Sequence, residues 1–444
     1  MPPRRSASEL MQGSSTLNRR PFVKLVLTKT LAPVAVAVGL LFATSAQAEV
    51  EYHGYFRTQA GGTAQGGNLQ CFDAGWPTGG AGPHAVGRLG NECDAYGDAQ
   101  FALGFGDPNA AWGKYHIGFA YKNKDANAWE ATWSDDGKSS NGLNIANENN
   151  WFEAGGFFPQ GSALENASVW VGKRHYNRHD VHITDNYYWS NSGVGAGIDG
   201  IKLGSAKTAL AYLQRGGNAN ASDDVVGKRY ALRVYDIDAN PGGKVEGELV
   251  LFNGSTAGTG ETGSGSSLML QHTQGNLLGG FNKLALVLGK DAGAGFTWVP
   301  TYAGGDNGNK GNSSWAVTEQ FMFDLKGTNW SGMVTAGAGE IDASSGKPSY
   351  WNLVLRPQYN FTKNFSIAAE LGHVQGKNGD SKPTLTKFTI APQLTLSEGF
   401  WARPVVRAFV THARWSKDAG TQANGVFGSA TSGTTFGVQA EAWW

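Results

Sequence analysis

The 444-residue chain balances 36 Lys and Arg against 36 Asp and Glu; six of the basic groups but only Glu9 of the acidic ones precede residue 49, so the remainder carries a net charge of −5. That charge offers no basic patch for nucleic acid. With 64 Gly, only 15 Pro, and 15 Trp, 14 Tyr and 22 Phe, the composition excludes a disordered chain and fits a large all-β protein with many turns.

The amino-terminal segment reads as an export signal. Arg19, Arg20, Lys24 and Lys29 form a positive region, Leu31–Phe42 is an apolar run too short to span a bilayer, and Ala46-Gln47-Ala48 has the small residues of a signal-peptidase site. The expected division is therefore a removed leader, residues 1–48, and one exported domain, residues 49–444. Asn18–Lys24 resembles a twin-arginine signal, a route that exports folded proteins; the strand pattern that follows reads as a membrane barrel, which must cross unfolded, so the general secretory route is preferred. Export to an oxidising compartment predicts that Cys71 and Cys93 are bridged. A zinc site at these cysteines lacks further ligands nearby.

After the leader no apolar run approaches 18 residues, so no membrane helix is expected. Instead, segments alternate with period two, the pattern of strands. In 114–122, Tyr115, Ile117, Phe119 and Tyr121 oppose Lys114, His116 and Lys122. Across 351–361, Trp351, Leu353, Leu355, Tyr359 and Phe361 oppose Asn352, Arg356, Gln358 and Asn360. Along 387–396, Phe388, Ile390, Leu394 and Leu396 oppose Lys387, Thr389, Gln393 and Thr395. Gly- and Ser-rich stretches at 255–267, 303–314 and 419–434 read as turns or outer loops. A soluble sandwich or propeller alternates too, so the carboxyl terminus decides. There Phe436, Val438, Ala440, Ala442 and Trp444 form one apolar face ending on an aromatic, like the final strand of an outer-membrane protein. The 396 residues after the leader allow about 16 to 18 membrane strands of roughly 10 residues each.

Several motifs stand out in chain order: His53-Gly54-Tyr55-Phe56-Arg57; Arg88-Leu89-Gly90-Asn91-Glu92-Cys93 with Tyr96; Asn127-Ala128-Trp129-Glu130; Gly172–His182 with Asp185, Tyr187, Tyr188 and Trp189; Asn240–Gly243; Gly280-Phe281-Asn282-Lys283; Trp401-Ala402-Arg403-Pro404; and Trp443-Trp444. Together, over nearly the whole exported chain, they resemble the maltoporin family of sugar-specific outer-membrane porins. The resemblance implies an eighteen-stranded antiparallel transmembrane β-barrel, a homotrimer in outer-membrane lipid, and a third loop folded into the pore. It implies an aromatic slide for maltooligosaccharides of Tyr55, Tyr96, Trp129, Phe281, Trp401 and Trp443, with Trp129 offered to a neighbouring subunit. The polar track would be Arg57, Arg88, Arg178, Asp180 and Asp185, and Tyr187 would narrow the pore.

Strand parity agrees with that assignment. If Tyr55 faces the lumen, so do His53 and Arg57; if Trp443 does, so do Gln439 and Glu441; if Trp401 does, so do Arg403 and Arg407. A flat ring covers the apolar face of a sugar while Arg and Asp exchange hydrogen bonds with its hydroxyl rim. Each site must be weak, since conduction requires leaving as well as entering.

The bland readings are girdle aromatics and field-setting arginines. The cluster His175, His179, Asp180, His182 and Asp185 lacks the helical His-Glu-x-x-His arrangement, and no nucleophile elbow, P-loop or glycosidase pair is found, so neither metal, cofactor nor catalysis is expected. Two departures from the family stand out: Ser190 replaces the acid after Tyr-Tyr-Trp, and Trp151-Phe152-Glu153 stands roughly where the second loop would supply an Arg. The alternatives are a general diffusion porin, a porin for another sugar such as sucrose, or a surface barrel that binds glycans or serves phage as a receptor.

Overall fold

A computed structural model describes residues 50–123, 132–133, 139–140, 143–216, 225–256, 263–295, 310–420, 422 and 425–444. Their strands, in chain order, begin with β1 (Val50–Thr63), β2 (Ala95–Gly106), β3 (Trp112–Asn123), β4 (Thr132–Trp133), β5 (Ser139–Ser140), β6 (Leu143–Gly155) and β7 (Ser168–Arg174). A short hairpin follows, β8 (Arg178–Val181) and β9 (Asn186–Ser190). Then come β10 (Gly193–Leu203), β11 (Ala206–Gly216), β12 (Val225–Asn240), β13 (Gly243–Thr256), β14 (Ser264–Leu277) and β15 (Gly280–Asp291). The series ends with β16 (Ser313–Asp324), β17 (Trp330–Asp342), β18 (Ser349–Asn360), β19 (Phe365–Lys377), β20 (Thr384–Thr395), β21 (Val405–Trp415) and β22 (Ser432–Trp443).

Eighteen of these form one sheet; β4–β5 and β8–β9 pair separately. Each of the eighteen pairs antiparallel with its neighbour in the chain. The ring closes where β22 returns to β1, with Tyr55 opposite Trp443 and Arg57 opposite Glu441. Closure leaves no sheet edge unpaired, which a lipid environment demands. Long connections gather at one end of the barrel and short turns at the other, the latter being the periplasmic side in outer-membrane barrels.

The period-two alternation determines which side chains face out. Tyr121, Leu353, Phe388 and Val438 are exposed on the outer face, while their strand neighbours Asn352, Lys387, Thr389 and Gln439 are buried inside. An exposed apolar exterior around a polar interior is the arrangement of a membrane barrel, the inverse of a soluble one. The Gly/Ser-rich stretch 255–267 is only partly loop: Ser264–Ser267 begin β14. Gly265 permits this because a Cβ there would press on the backbone of Lys290 and Ala292. Trp151–Glu153 likewise lie on β6 and not in a loop.

Two long connections pack against the barrel's inner wall. The first, between β1 and β2, carries the Cys71–Cys93 disulfide. Its Leu89 amide donates to Glu370 at 2.9 Å, and its Leu89 carbonyl accepts from Lys387 Nζ at 2.8 Å and Thr389 at 3.0 Å. Asn352 donates to the Ala85 carbonyl at 2.9 Å, and Thr411 to that of Gly90 at 3.1 Å. Gly87 has φ +93°, and a Cβ there would collide with the Glu370 carboxylate, so only glycine fits. Glu370 also holds Arg356 at 2.6 Å and Lys387 at 2.8 Å.

The second connection, 175–192, contains the β8–β9 hairpin. Trp189 and Asn191 donate to Glu248 on β13 at 2.7 and 2.8 Å, and Tyr188 donates to Gln271 on β14 at 2.5 Å. Its far end rests on the first connection: Arg88 N donates to Ile183 O at 2.9 Å and His84 N to Thr184 O at 3.2 Å.

Candidate functional site

Alternation on β1, β2 and β22 points Tyr55, Tyr96 and Trp443 to the interior, and register sets them side by side. The Tyr96 and Tyr55 ring centroids lie 5.9 Å apart, Tyr55 and Trp443 6.5 Å, and Trp443 and Trp401 6.4 Å. Trp401 comes from the turn between β20 and β21, and Arg403 of the same turn lies 4.0 Å from the Trp443 ring centroid. The result is a continuous file of four rings. Phe281, on β15, lines the same cavity but makes no ring contact with the file among the described residues. Trp129 lies outside the described residues.

That cavity, of about 1090 Å³, is also lined by Arg57, Arg88, Arg178, Asp180, Asp185 and Tyr187. The structure thus brings every sequence-predicted site residue but Trp129 to one space. Their engagements differ. Arg57 pairs with Asp94 at 2.7 Å and Glu92 at 2.9 Å; Arg88 pairs with Glu92 at 2.5 Å and Glu441 at 3.1 Å. Both therefore clamp the first connection to the wall as well as facing the cavity. Arg178 has no carboxylate within ion-pair distance among the described residues. It donates to Tyr187 Oη at 2.8 Å and meets His175 Nδ1 at 2.8 Å. Ser190 lies 2.9 Å from Ser192 through their hydroxyls, where the family's acid is absent.

Glu441 is the hub that sequence reading placed in the lumen but gave no role. One oxygen accepts from Tyr55 Oη at 3.0 Å, and the other takes Arg403 and Arg407 at 2.8 Å each. Arg88 donates to the Tyr55 hydroxyl at 2.6 Å. The signal was present in the last strand's alternation, but the partners come from elements far apart in sequence. Also missed were His182, whose ring lies 5.0 Å from Trp401 and 5.7 Å from Trp443, and Lys283, 5.4 Å above Phe281.

Chemically, the site offers flat apolar faces in series, with donors and acceptors alongside. It can cover one face of a ring-shaped polar solute while exchanging hydrogen bonds with its rim. The hairpin's histidines add little charge to it: burial pushes His179 down to about 4 and His175 to about 3, and lowers His182 as well. Burial opposes ionisation of Asp94 too and is the largest single influence, but the hydrogen bond and charge of Arg57, together with those of Lys122, outweigh it and hold the carboxyl at about 2.

These directions give a pH dependence. Histidines kept neutral in the fold but free to protonate when unfolded, near pH 6.5, contribute stability that is full above that pH and declines as pH falls toward 4. Asp94 adds stability that is lost only below about pH 4. Burial raises the Asp180 carboxyl of the same hairpin, an effect of opposite sign. With three lowered histidines against it, the melting midpoint should be flat from pH 8 to about 6.5 and fall below it. A maximum near pH 5 would mean that the histidines do not outweigh Asp180.

A family model described as LamB porin matches residues 50–444. Among solved structures, OccK1 (OpdK) of Pseudomonas aeruginosa is 11% identical, with 89% of this chain and 98% of that chain covered and a TM-score of 0.47. OccAB1 of Acinetobacter baumannii is also 11% identical, with 89% and 96% covered and a TM-score of 0.47. OmpT of Vibrio cholerae is 10% identical, with 89% and 99% covered and a TM-score of 0.40. Likeness at this level does not bear on the solute.

Proposed function

Because the chain belongs to the LamB porin family, and so is an outer-membrane channel, we propose that it passes maltose, maltooligosaccharides or similar oligosaccharides selectively, by facilitated diffusion. The leader of residues 1–48 is removed on export, and three copies assemble in the outer membrane, with the loop around Trp129 reaching a neighbour's pore. The single observation that carries the reading is the file Tyr96–Tyr55–Trp443–Trp401, with 5.9 to 6.5 Å between successive rings. Each step is comparable with one sugar ring, so a chain that leaves one platform has already met the next.

Successive weak sites favour throughput over retention. One or two stacked rings with a few solvated hydrogen bonds supply about −4 kcal/mol, which corresponds to millimolar binding. The inward hairpin and Tyr187 set the narrowest passage. Replacing Tyr187 with alanine should therefore raise single-channel conductance, and an unchanged conductance would put the constriction elsewhere.

Ser190 favours a second reading within the same family, a pore less choosy than a maltose channel. Without a carboxylate there, Arg178 is held by Tyr187 and His175 and has no ion-pair partner among the described residues. Liposome swelling tests the choice. Faster uptake of maltotriose than of raffinose, a trisaccharide of similar size, supports the maltose-type channel. Equal rates, ordered only by mass across many solutes, would support a general diffusion pore.

A further inference from the structure

On the outer wall, at the short-turn end of β17 to β19, large rings surround a small floor. Trp330, Tyr359, Phe361 and Ile367 stand around Pro357 and Ala369, enclosing a groove of about 360 Å³. The rings brace one another: Trp330 and Tyr359 are 5.0 Å apart at their centroids, and Tyr359 and Phe361 4.8 Å. The ladder between β18 and β19 is interrupted beside the floor. Pairing runs from Leu355↔Leu371 to Gln358↔Ala368 without the two steps between, since Pro357 has no N–H to give.

Interfacial aromatics ring any membrane barrel, but a ring of aromatics alone needs no concavity. Here the turns bordering the groove also carry cations. Lys326 lies four residues before Trp330, and Lys363 two after Phe361. Both are exposed and neither has an ion pair among the described residues; the one acid bordering these turns is Asp324, at the end of β16. Tyr359 directs its hydroxyl toward the turn, 3.4 Å from Asn329 Nδ2, so the polar edge of the groove lies on the lysine side. An apolar trough in the bilayer, with positive charge at the level of the headgroups, matches a lipid chain ending in a phosphate.

We infer that this groove holds one acyl chain of an anionic phospholipid from the periplasmic leaflet, with Lys326 and Lys363 on its phosphate. The groove is on the outside of the wall, so this assignment does not depend on what crosses the pore.

The test is native mass spectrometry of the purified, delipidated protein titrated with phosphatidylglycerol, with phosphatidylethanolamine of the same chains, or with free glycerol phosphate. Phosphatidylglycerol should bind at one tight site per chain, more strongly than phosphatidylethanolamine, and glycerol phosphate should not displace it. Lys326→Gln with Lys363→Gln, and separately Ala369→Trp to fill the floor, should each weaken that binding by about fivefold or more. Both variants should keep the wild-type heat-modifiable mobility of a closed barrel. Equal binding by the wild type and both variants would overturn the assignment. So would equal binding of the two lipids, or displacement by glycerol phosphate.

Discussion

Replacing Trp443 with alanine is expected to weaken oligosaccharide block of the channel by roughly 5- to 30-fold, the loss of about 1–2 kcal/mol of stacking. Ion conductance should stay equal or rise. Trp443 is one of the two inner rings of the file, flanked by Tyr55 at 6.5 Å and Trp401 at 6.4 Å. Its removal therefore breaks the path from within instead of shortening one end. The indole also lies against Arg403, 4.0 Å away, and that guanidinium keeps its ion pair with Glu441 when the ring is gone. Structural damage should accordingly be small. Tyr55→Phe is the useful companion. It keeps the platform but removes the hydroxyl that accepts from Arg88 and donates to Glu441. Block that falls with Trp443→Ala and changes little with Tyr55→Phe assigns the effect to ring faces. Unchanged block in Trp443→Ala would reduce these rings to packing.

The second large effect concerns stability. Glu441→Gln should destabilise the barrel by about 3–5 kcal/mol, the usual consequence of removing one member of a buried charge cluster. Arg88, Arg403 and Arg407 all lie within 3.1 Å of its carboxylate oxygens, and the amide would leave three buried cations sharing two fewer half-charges of acceptor. The strand is also the one that closes the ring against β1, with Glu441 opposite Arg57. Loss of stability should therefore appear as a lower temperature for the heat-modifiable shift. Arg403→Gln in the same background should recover part of it, because it removes an uncompensated charge. A Glu441→Gln protein with the wild-type transition would show that water reaches these groups and screens them.

Much of the architecture could be read in the sequence because membrane strands obey a strict period. The alternations at 114–122, 351–361 and 387–396 fall on β3, β18 and β20, and Phe436–Trp444 follow the closing β22 with the expected faces. Parity also puts Tyr55 with Arg57 on one face of β1, and Trp443 with Glu441 on one face of β22. What parity cannot supply is register around the ring. The four-way contact at Glu441, and the Glu370–Arg356–Lys387 cluster that seats Leu89, join residues 14 to 386 positions apart. Local pattern carries no trace of such pairings. Nor could composition show that Gly265 sits within a strand, since glycine marks both loops and close backbone approach.

The most direct test of a sugar-selective channel is single-channel conductance of the purified protein in a planar bilayer, titrated separately with maltotriose and sucrose. The account predicts saturable block, with a millimolar-range constant for maltotriose that is lower than that for sucrose. Open channels whose current neither sugar reduces would contradict it and leave the aromatic file without a solute.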